Sequence, residues 1–217
     1  GRYQSDDDAR QTLLDNIEGE TITEPRLLRF KTGRRISQWH KNCVSLGLAS
    51  GFLEPLESTS IYLVQSGIIR LMQLFPTFGI DHSEVDEYNH QSRLEFEFIR
   101  DFLILHYHVT ERDDSPFWNY CRTMEVPESL SRKLKLFASN GRIFREDFDL
   151  FFDGSWSQVM TGQRMFPASY HPIVDMMTND ELRALLRDIK ASHLKKVATY
   201  PSHQEFIEEY CKADSPD

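Results

Sequence analysis

The residues best suited to chemistry lie close together in one stretch of this 217-residue chain, between Trp39 and Val64. The stretch reads WHKNCVSLGLASGFLEPLESTSIYLV and places glycines, two carboxylates and a Ser-Thr-Ser run between apolar flanks. Carboxylates are uncommon in protein cores and loops are usually polar, so a segment that mixes apolar residues with carboxylates is a candidate site. A tight turn that leads into a buried helix explains the same pattern equally well.

The run Ser58-Thr59-Ser60 is predicted to open a helix that continues to about Met72. The first turn of a helix leaves backbone N–H groups unpaired, and the helix dipole adds about half a positive charge there, so the amides of Thr59 and Ser60 suit a small anion. Glu57 beside them would be a carboxyl group near the interior, which favours acid–base work. In the alternative, Ser58 simply caps the helix and Glu57 favours its positive end.

The neighbouring elements would position this stretch. Arg26–Lys31 alternates basic and apolar residues, which predicts a half-buried strand; residues 32–35 read as a turn, and residues 36–43 return along the same sheet. The helix after Ser60 is apolar nearly all round, which predicts that it is buried.

A long helix is predicted from about residue 81 to residue 110, because Val85, Tyr88, Ser92, Phe96, Ile99, Leu103 and His106 recur at spacings of three and four. His106 and His108 stand two residues apart, which separates them on a helix, and both are interpreted as structural or exposed. Near the C-terminus, a further amphipathic helix is predicted from residue 180 to about residue 197, with its leucines inside.

A second candidate stretch, residues 144–156, reads FREDFDLFFDGSW and alternates aromatic and acidic residues. Such a concentration could form an aromatic box for a flat apolar ligand or an ordinary aromatic core layer, and the pattern favours the core layer.

Composition restricts the class of protein. A formal net charge of −9 argues against general binding to nucleic acid or to an anionic membrane, because both need basic surfaces. No run reaches the roughly 18 apolar residues of a membrane helix. Cys43, Cys121 and Cys211 are far apart and form no zinc-type cluster, so no metal site is indicated and reduced thiols in a cytoplasmic protein are expected. The patterns together predict a predominantly α-helical α+β fold.

From Arg29 to Ile61 the chain closely resembles the flavin-dependent tryptophan halogenases, through RFKTGRR and WHKNCVSLGLASGFLEPLEST. SWSQVMTGQ at residues 155–163 and YHPIVD at residues 170–175 also resemble the family. The resemblance extends over essentially the whole chain but only over the second half of a typical member. The family's catalytic lysine, its glycine-rich dinucleotide motif and its Trp-x-Trp-x-Ile-Pro signature all belong to the half upstream.

The resemblance therefore implies the C-terminal portion of a longer enzyme. Residues 1–75 would be the end of a flavin-monooxygenase-like module that carries the halide and active-site motif, and residues 76–217 a mainly helical substrate-side domain. Family members use reduced FAD, oxygen and chloride or bromide to halogenate an electron-rich aromatic, usually indolic, substrate. A separate flavin reductase is implied as a partner, and a homodimer is compatible with the resemblance.

Residue by residue, the resemblance implies that Glu57 and Ser58 are catalytic and that the amides of Thr59 and Ser60 hold halide. Glu57 would orient or activate the halogenating species or take the ring proton. Leu48 and Ile61 match positions that touch the flavin, and Glu57, Glu146 and Phe151 are the implied substrate contacts.

The isolated chain is expected to be inactive. Two alternatives stay open: a non-catalytic helical fragment or interaction module, and a family-like flavoprotein that does not halogenate.

Overall fold

The structure, a computed structural model, describes residues 2–213 and divides into two compact units. The first unit extends to Ser169 and the second begins at Tyr170. The boundary predicted near residue 75 falls inside the first unit, and the functional division into a flavin module and a substrate-side domain stays a prediction.

Six α-helices account for about half of the described residues of the first unit: α1 (Asp6–Asp15), α2 (Ser60–Gln73), α3 (His82–His108), α4 (Pro116–Thr123), α5 (Glu128–Asn140) and α6 (Asp153–Gly162). Local chemistry sets where they begin. The side chain of Ser5 accepts a hydrogen bond from the Asp8 amide at 3.0 Å and caps α1. Asp81 does the same for α3 by accepting from the Ser83 amide at 2.7 Å. The predominantly helical prediction is confirmed.

Four very short strands precede α2. They are β1 (Gly33–Arg34), β2 (Trp39–His40), β3 (Cys43–Val44) and β4 (Gly51–Phe52). β1 pairs with β4 and β2 pairs with β3, both antiparallel, with Gly33 opposite Phe52 and Trp39 opposite Val44. These two ladders hold the segment that leads to Glu57.

The strand predicted for Arg26–Lys31 is wrong, because those residues form no regular strand and lie largely exposed. Arg29 instead forms an ion pair with Asp6 at the surface, and Phe30 packs edge-on against Phe52 with ring centroids 4.9 Å apart. The turn predicted for residues 32–35 is also wrong, because β1 lies there.

The core is centred on α3. The predicted face of this helix is confirmed, since Tyr88, Ser92, Phe96, Ile99 and Leu103 are all buried. A cluster that we call the helical core joins α3 to α5 and α6, and its buried members are Phe102, Leu105, Leu130, Phe137, Trp156 and Met160. Burying a large apolar side chain contributes about 1.5–3 kcal/mol, so this cluster is one substantial source of the stability of the first unit.

Helix α2 has the predicted bounds but not the predicted burial. Ile61 is 82% exposed and Met72 is 72% exposed, whereas the buried residues of α2 are Gly67 and Arg70. At Gly67 an added Cβ would lie 2.8 Å from a Leu46 methyl group, and the Tyr88 hydroxyl donates to the Gly67 carbonyl at 3.3 Å. Helix α2 therefore packs through one narrow side.

The second unit contains a short 3₁₀ helix (Pro172–Met176), α7 (Asn179–Val197) and α8 (His203–Tyr210). Thr178 and Ser202 form capping boxes at the starts of α7 and α8. The predicted extent of α7 is confirmed, but its apolar face is not buried, because Leu185 and Leu186 are exposed and Leu182 is only partly buried. Across residues 2–213, no helix is both long enough and apolar enough to cross a membrane.

Candidate active site

Glu57 and Ser58 form a tight reversal directly before α2. Pro55–Glu57 is a single 3₁₀ turn, closed by the Ser58 amide donating to the Pro55 carbonyl at 3.0 Å. Ser58 has φ 53° and ψ 35°, the left-handed conformation. A non-glycine residue in this region costs on the order of 1–3 kcal/mol and is found preferentially at functional sites.

Within residues 2–213, the start of α2 has no side-chain cap. Its N-cap is the buried Thr59, and no side chain among the described residues makes the capping hydrogen bond. The alternative in which Ser58 caps the helix is therefore wrong. The first backbone bond runs from the Leu63 amide to the Thr59 carbonyl at 3.0 Å, so the amides before Leu63 lack an intrahelical partner.

A mainly apolar cavity of about 150 Å³ adjoins this helix start. It is lined by Gly47, Leu48, Gly51, Leu53, Thr59, Ser60, Ile61, Leu63 and Val64. The structure thus brings together the two predicted halide residues and the two predicted flavin residues. Leu48 is 76% exposed at this cavity, which suits contact with a flat apolar ring. The volume is below the roughly 300 Å³ of an ordinary ligand pocket, so these residues would contact only part of a flavin.

The Glu57 carboxyl group lies next to His106 of α3. Glu57 Oε1 is 2.8 Å from His106 Nε2, and the two side chains are 33% and 19% exposed. His106 Nδ1 is in turn 2.8 Å from the Phe102 carbonyl oxygen. His106 is partly buried and hydrogen-bonded, so of the two interpretations the exposed one is wrong and the structural one stays a prediction. Local sequence carries no signal for the contact, because Glu57 and His106 lie on different elements.

Phe151 is connected to this pair through Phe102. The Phe151 and Phe102 rings stack with centroids 3.8 Å apart, and Phe102 meets the His106 ring edge-on at 4.8 Å. Phe151 also packs against the helical core, as the core-layer interpretation expects. Phe144 and Phe152 are exposed, so the aromatic stretch does not close into one box.

Glu146 has a different environment. Its carboxylate forms an ion pair with Arg132, and both side chains are substantially exposed. Among the contacts of the described residues, none connects Glu146 to Glu57 or His106. Its role as a substrate contact stays a prediction.

Two tyrosines, Tyr107 near the end of α3 and Tyr62 on α2, retain their phenolic protons. Burial, reinforced by the hydrogen bond to Glu54, raises the pKa of Tyr107 to about 12. Burial and the nearby Glu95 carboxylate raise the pKa of Tyr62 to about 12. Both phenols are therefore hydrogen-bond donors at neutral pH. Within residues 2–213, no group of three or more His, Cys, Asp or Glu side chains is placed to hold a metal ion.

Comparison with known proteins decides the family. The sequence profile described as tryptophan halogenase matches residues 1–179, which is most of the chain. The chain belongs to the tryptophan halogenase family.

Named relatives within this family agree in sequence and in fold. The tryptophan 6-halogenase ThaL of Streptomyces albogriseolus is 30% identical over 85% of this chain and 38% of its own length. A flavin-dependent halogenase from Xanthomonas campestris is 47% identical with a TM-score of 0.91, over 100% of this chain and 44% of that chain. The flavin-dependent halogenase BrvH from Brevundimonas sp. BAL3 is 42% identical with a TM-score of 0.87, over 95% of this chain and 42% of that chain. This tryptophan halogenase family chain thus spans about two fifths of the length of these relatives.

Proposed function

We propose that this chain is the C-terminal part of a flavin-dependent halogenase that uses reduced FAD, oxygen and chloride or bromide to halogenate an electron-rich aromatic ring. The observation that carries the proposal is the placement of a half-buried carboxyl group, Glu57, immediately before an uncapped helix start that borders an apolar cavity. Membership of the tryptophan halogenase family supports it.

Each residue of the site has a role in the proposal. Leu48 and Ile61 would contact the flavin, and the amides of Thr59 and Ser60 would hold the halide, favoured by the helix dipole. When bound, reduced flavin would activate oxygen and so oxidise the halide to hypohalous acid. Glu57 then handles protons as the aromatic ring is substituted, and the reversal at Ser58 sets its position.

The substrate is proposed to be indolic, because the relatives of known regiochemistry are named tryptophan halogenases. Phe151 would contribute apolar contact on the substrate side, and Glu146 a polar one. We further propose a separate flavin reductase as the source of reduced FAD, a cytoplasmic location and a homodimeric assembly.

Replacing Glu57 with Gln in the full-length polypeptide tests the proposal. Glutamine keeps the shape but cannot exchange a proton, so halogenated product should fall by about 100-fold or more while flavin affinity is unchanged. Product is measured by mass spectrometry with chloride and with bromide, and flavin affinity by fluorescence titration. Glu54→Gln is the matched control, because Glu54 lies three residues away and accepts a hydrogen bond from Tyr107 instead. Equal turnover by Glu57→Gln and wild type would refute the assignment.

The small cavity also favours the alternative in which the isolated chain is a non-catalytic fragment. A cavity of about 150 Å³ can contact only a small part of a flavin, so the 217-residue chain alone should bind flavin weakly. Tight stoichiometric binding to this chain would contradict that expectation. Oxidised but unhalogenated product from the full-length protein would instead identify a family-like flavoprotein of another reaction.

A further inference from the structure

The pair formed by Glu57 and His106 has a protonation state that its hydrogen bonds determine. His106 Nδ1 lies 2.8 Å from the Phe102 carbonyl oxygen, and a carbonyl oxygen can only accept a hydrogen bond. Nδ1 must therefore carry a hydrogen. This assignment follows from the partner atom, as imidazole tautomers are assigned in general.

The other ring nitrogen then faces the carboxyl group. In a neutral imidazole with its hydrogen on Nδ1, Nε2 is an acceptor, and a carboxylate oxygen is an acceptor too. Two acceptors do not approach to the observed 2.8 Å without a proton between them. One proton must therefore lie between Nε2 and Oε1, either as imidazolium with carboxylate or as imidazole with carboxylic acid. Both arrangements are electrically neutral overall.

We propose that His106 is a positioning residue that keeps one transferable proton shared between its Nε2 and the Glu57 carboxyl group. The chemical step rests on the function proposed above. Burial supports the assignment, because a neutral pair that shares a proton is less costly in a half-buried position than an isolated carboxylate. The backbone carbonyl of Phe102 and the Phe102 ring, 4.8 Å from the imidazole, hold His106 in orientation.

With the shared proton, Glu57 can first act as a proton donor and then as a proton acceptor in the substitution. As the carbon–halogen bond forms and the oxygen–halogen bond of hypohalous acid breaks, the proton passes from Glu57 to the departing oxygen, which leaves as water. The ring carbon then loses its own proton to the Glu57 carboxylate. The net change is exchange of ring hydrogen for halogen, and the pair returns to its starting state.

Nitrogen NMR of the histidine-labelled 217-residue protein tests the shared proton without any turnover. His108 is an internal control, because its Nδ1 also lies 3.0 Å from a backbone carbonyl, that of Cys121, but none of the described carboxylates forms an ion pair with it. In the same spectrum the His108 Nε2 resonance is the reference for a ring nitrogen that faces none of the described carboxylates. His106 Nε2 should be shifted toward the protonated position, and the Glu57→Ala variant should remove that shift. Equal Nε2 resonances in the two histidines, or a His106 without hydrogen on Nδ1, would overturn the proposal.

Turnover of the full-length polypeptide tests the consequence. Gln at position 106 can hydrogen-bond to Glu57 but holds no transferable proton, so His106→Gln should lower kcat by about 100-fold with little change in substrate KM. Oxidation of halide, followed with a small halogen acceptor in solution, should stay at the wild-type rate, and His108→Gln should halogenate normally. A wild-type rate in His106→Gln would overturn this inference alone. If the full-length wild-type protein gives no halogenated product, the proposed function and this chemical step are overturned. The NMR experiment would still test whether His106 and Glu57 share a proton.

Discussion

Two regions of the first unit are held together in different ways. The helical core is built from large side chains on α3, α5 and α6 that are almost fully buried. The site segment, residues 33–61, is held by strands of two residues each and exposes Leu48 and Ile61. Regions with few buried apolar contacts open most easily, and functional residues are often found on them. The two regions meet at α3, because this helix carries both Phe102 of the helical core and His106 beside Glu57.

Polar contacts join the two regions. Arg70 of α2 is buried and donates to the Ser92 hydroxyl at 2.8 Å and to the Glu95 carboxylate at 3.1 Å, both on α3. Glu57 meets His106, and Glu54 accepts from the Tyr107 hydroxyl. The site segment and α2 therefore depend on α3 for their position, and each contact can be removed separately.

Removing Arg70 should have the largest effect. The Arg70 and Glu95 side chains are 7% and 5% exposed, so Arg70→Met leaves a carboxylate buried without its cation. Such a change costs about 3–5 kcal/mol of unfolding free energy, measured by urea denaturation. The matched control is Arg93→Met, which breaks a more exposed pair with Glu97 and should cost at most about 0.5 kcal/mol. Similar losses in the two variants would show that α2 is not held by this buried pair.

A methyl group at Gly51 should have an intermediate effect. An added Cβ would lie 2.8 Å from the Gly33 carbonyl oxygen and 2.9 Å from the Arg34 Cα, so β1 and β4 would have to separate. We expect Gly51→Ala to lower the unfolding free energy by about 1–3 kcal/mol.

Gly154 of α6 supplies the control for that change. Nothing lies within 4 Å of an added Cβ there, so Gly154→Ala should raise the unfolding free energy by about 0.4–1 kcal/mol. The change in unfolding free energy should therefore be negative for Gly51→Ala, where two strands are close, and positive for Gly154→Ala, where the helix has free space. A stabilised Gly51→Ala variant would show that the site segment adjusts without cost.

The smallest expected effect concerns Tyr107 at high pH. Its pKa is raised to about 12 from the ordinary value of 10, so the folded state holds the phenolic proton more tightly. The stability linked to that proton is fully present below about pH 10 and is lost as the pH rises toward 12. Tyr107→Phe should therefore make the loss of unfolding free energy shallower across this range in urea titrations. Tyr200→Phe removes an exposed phenol as the control, and an unchanged slope in Tyr107→Phe would contradict the linkage.

Sequence periodicity predicted the helices well and the strands poorly. Helix α3 is long enough for its buried face to repeat many times, so spacings of three and four identify Tyr88, Ser92 and Ile99. β1 and β4 have two residues each, which is too short to establish an alternating pattern. The alternation at Arg26–Lys31 arose from separate contacts, those of Arg29 and Phe30.

The candidate site was predictable where it is local and not where it depends on tertiary contact. The start of α2 follows from the Ser-Thr-Ser run, and the proposal that its free amides hold an anion follows from helix chemistry. His106 was missed because spacing within a helix says nothing about a partner on another segment. The prediction that α2 is buried was wrong. Arg70 of α2, rather than its isoleucines, faces Glu95 of α3.

The left-handed backbone at Ser58 has a consequence for protein engineering. In a random library at this position, many variants would be destabilised whatever their chemistry, because β-branched and bulky residues do not adopt φ 53° without strain. Glycine, asparagine and aspartate would tolerate this backbone conformation. Diversity around the Glu57 carboxyl group is therefore better placed at positions whose backbone adopts ordinary angles than on the residue next to it.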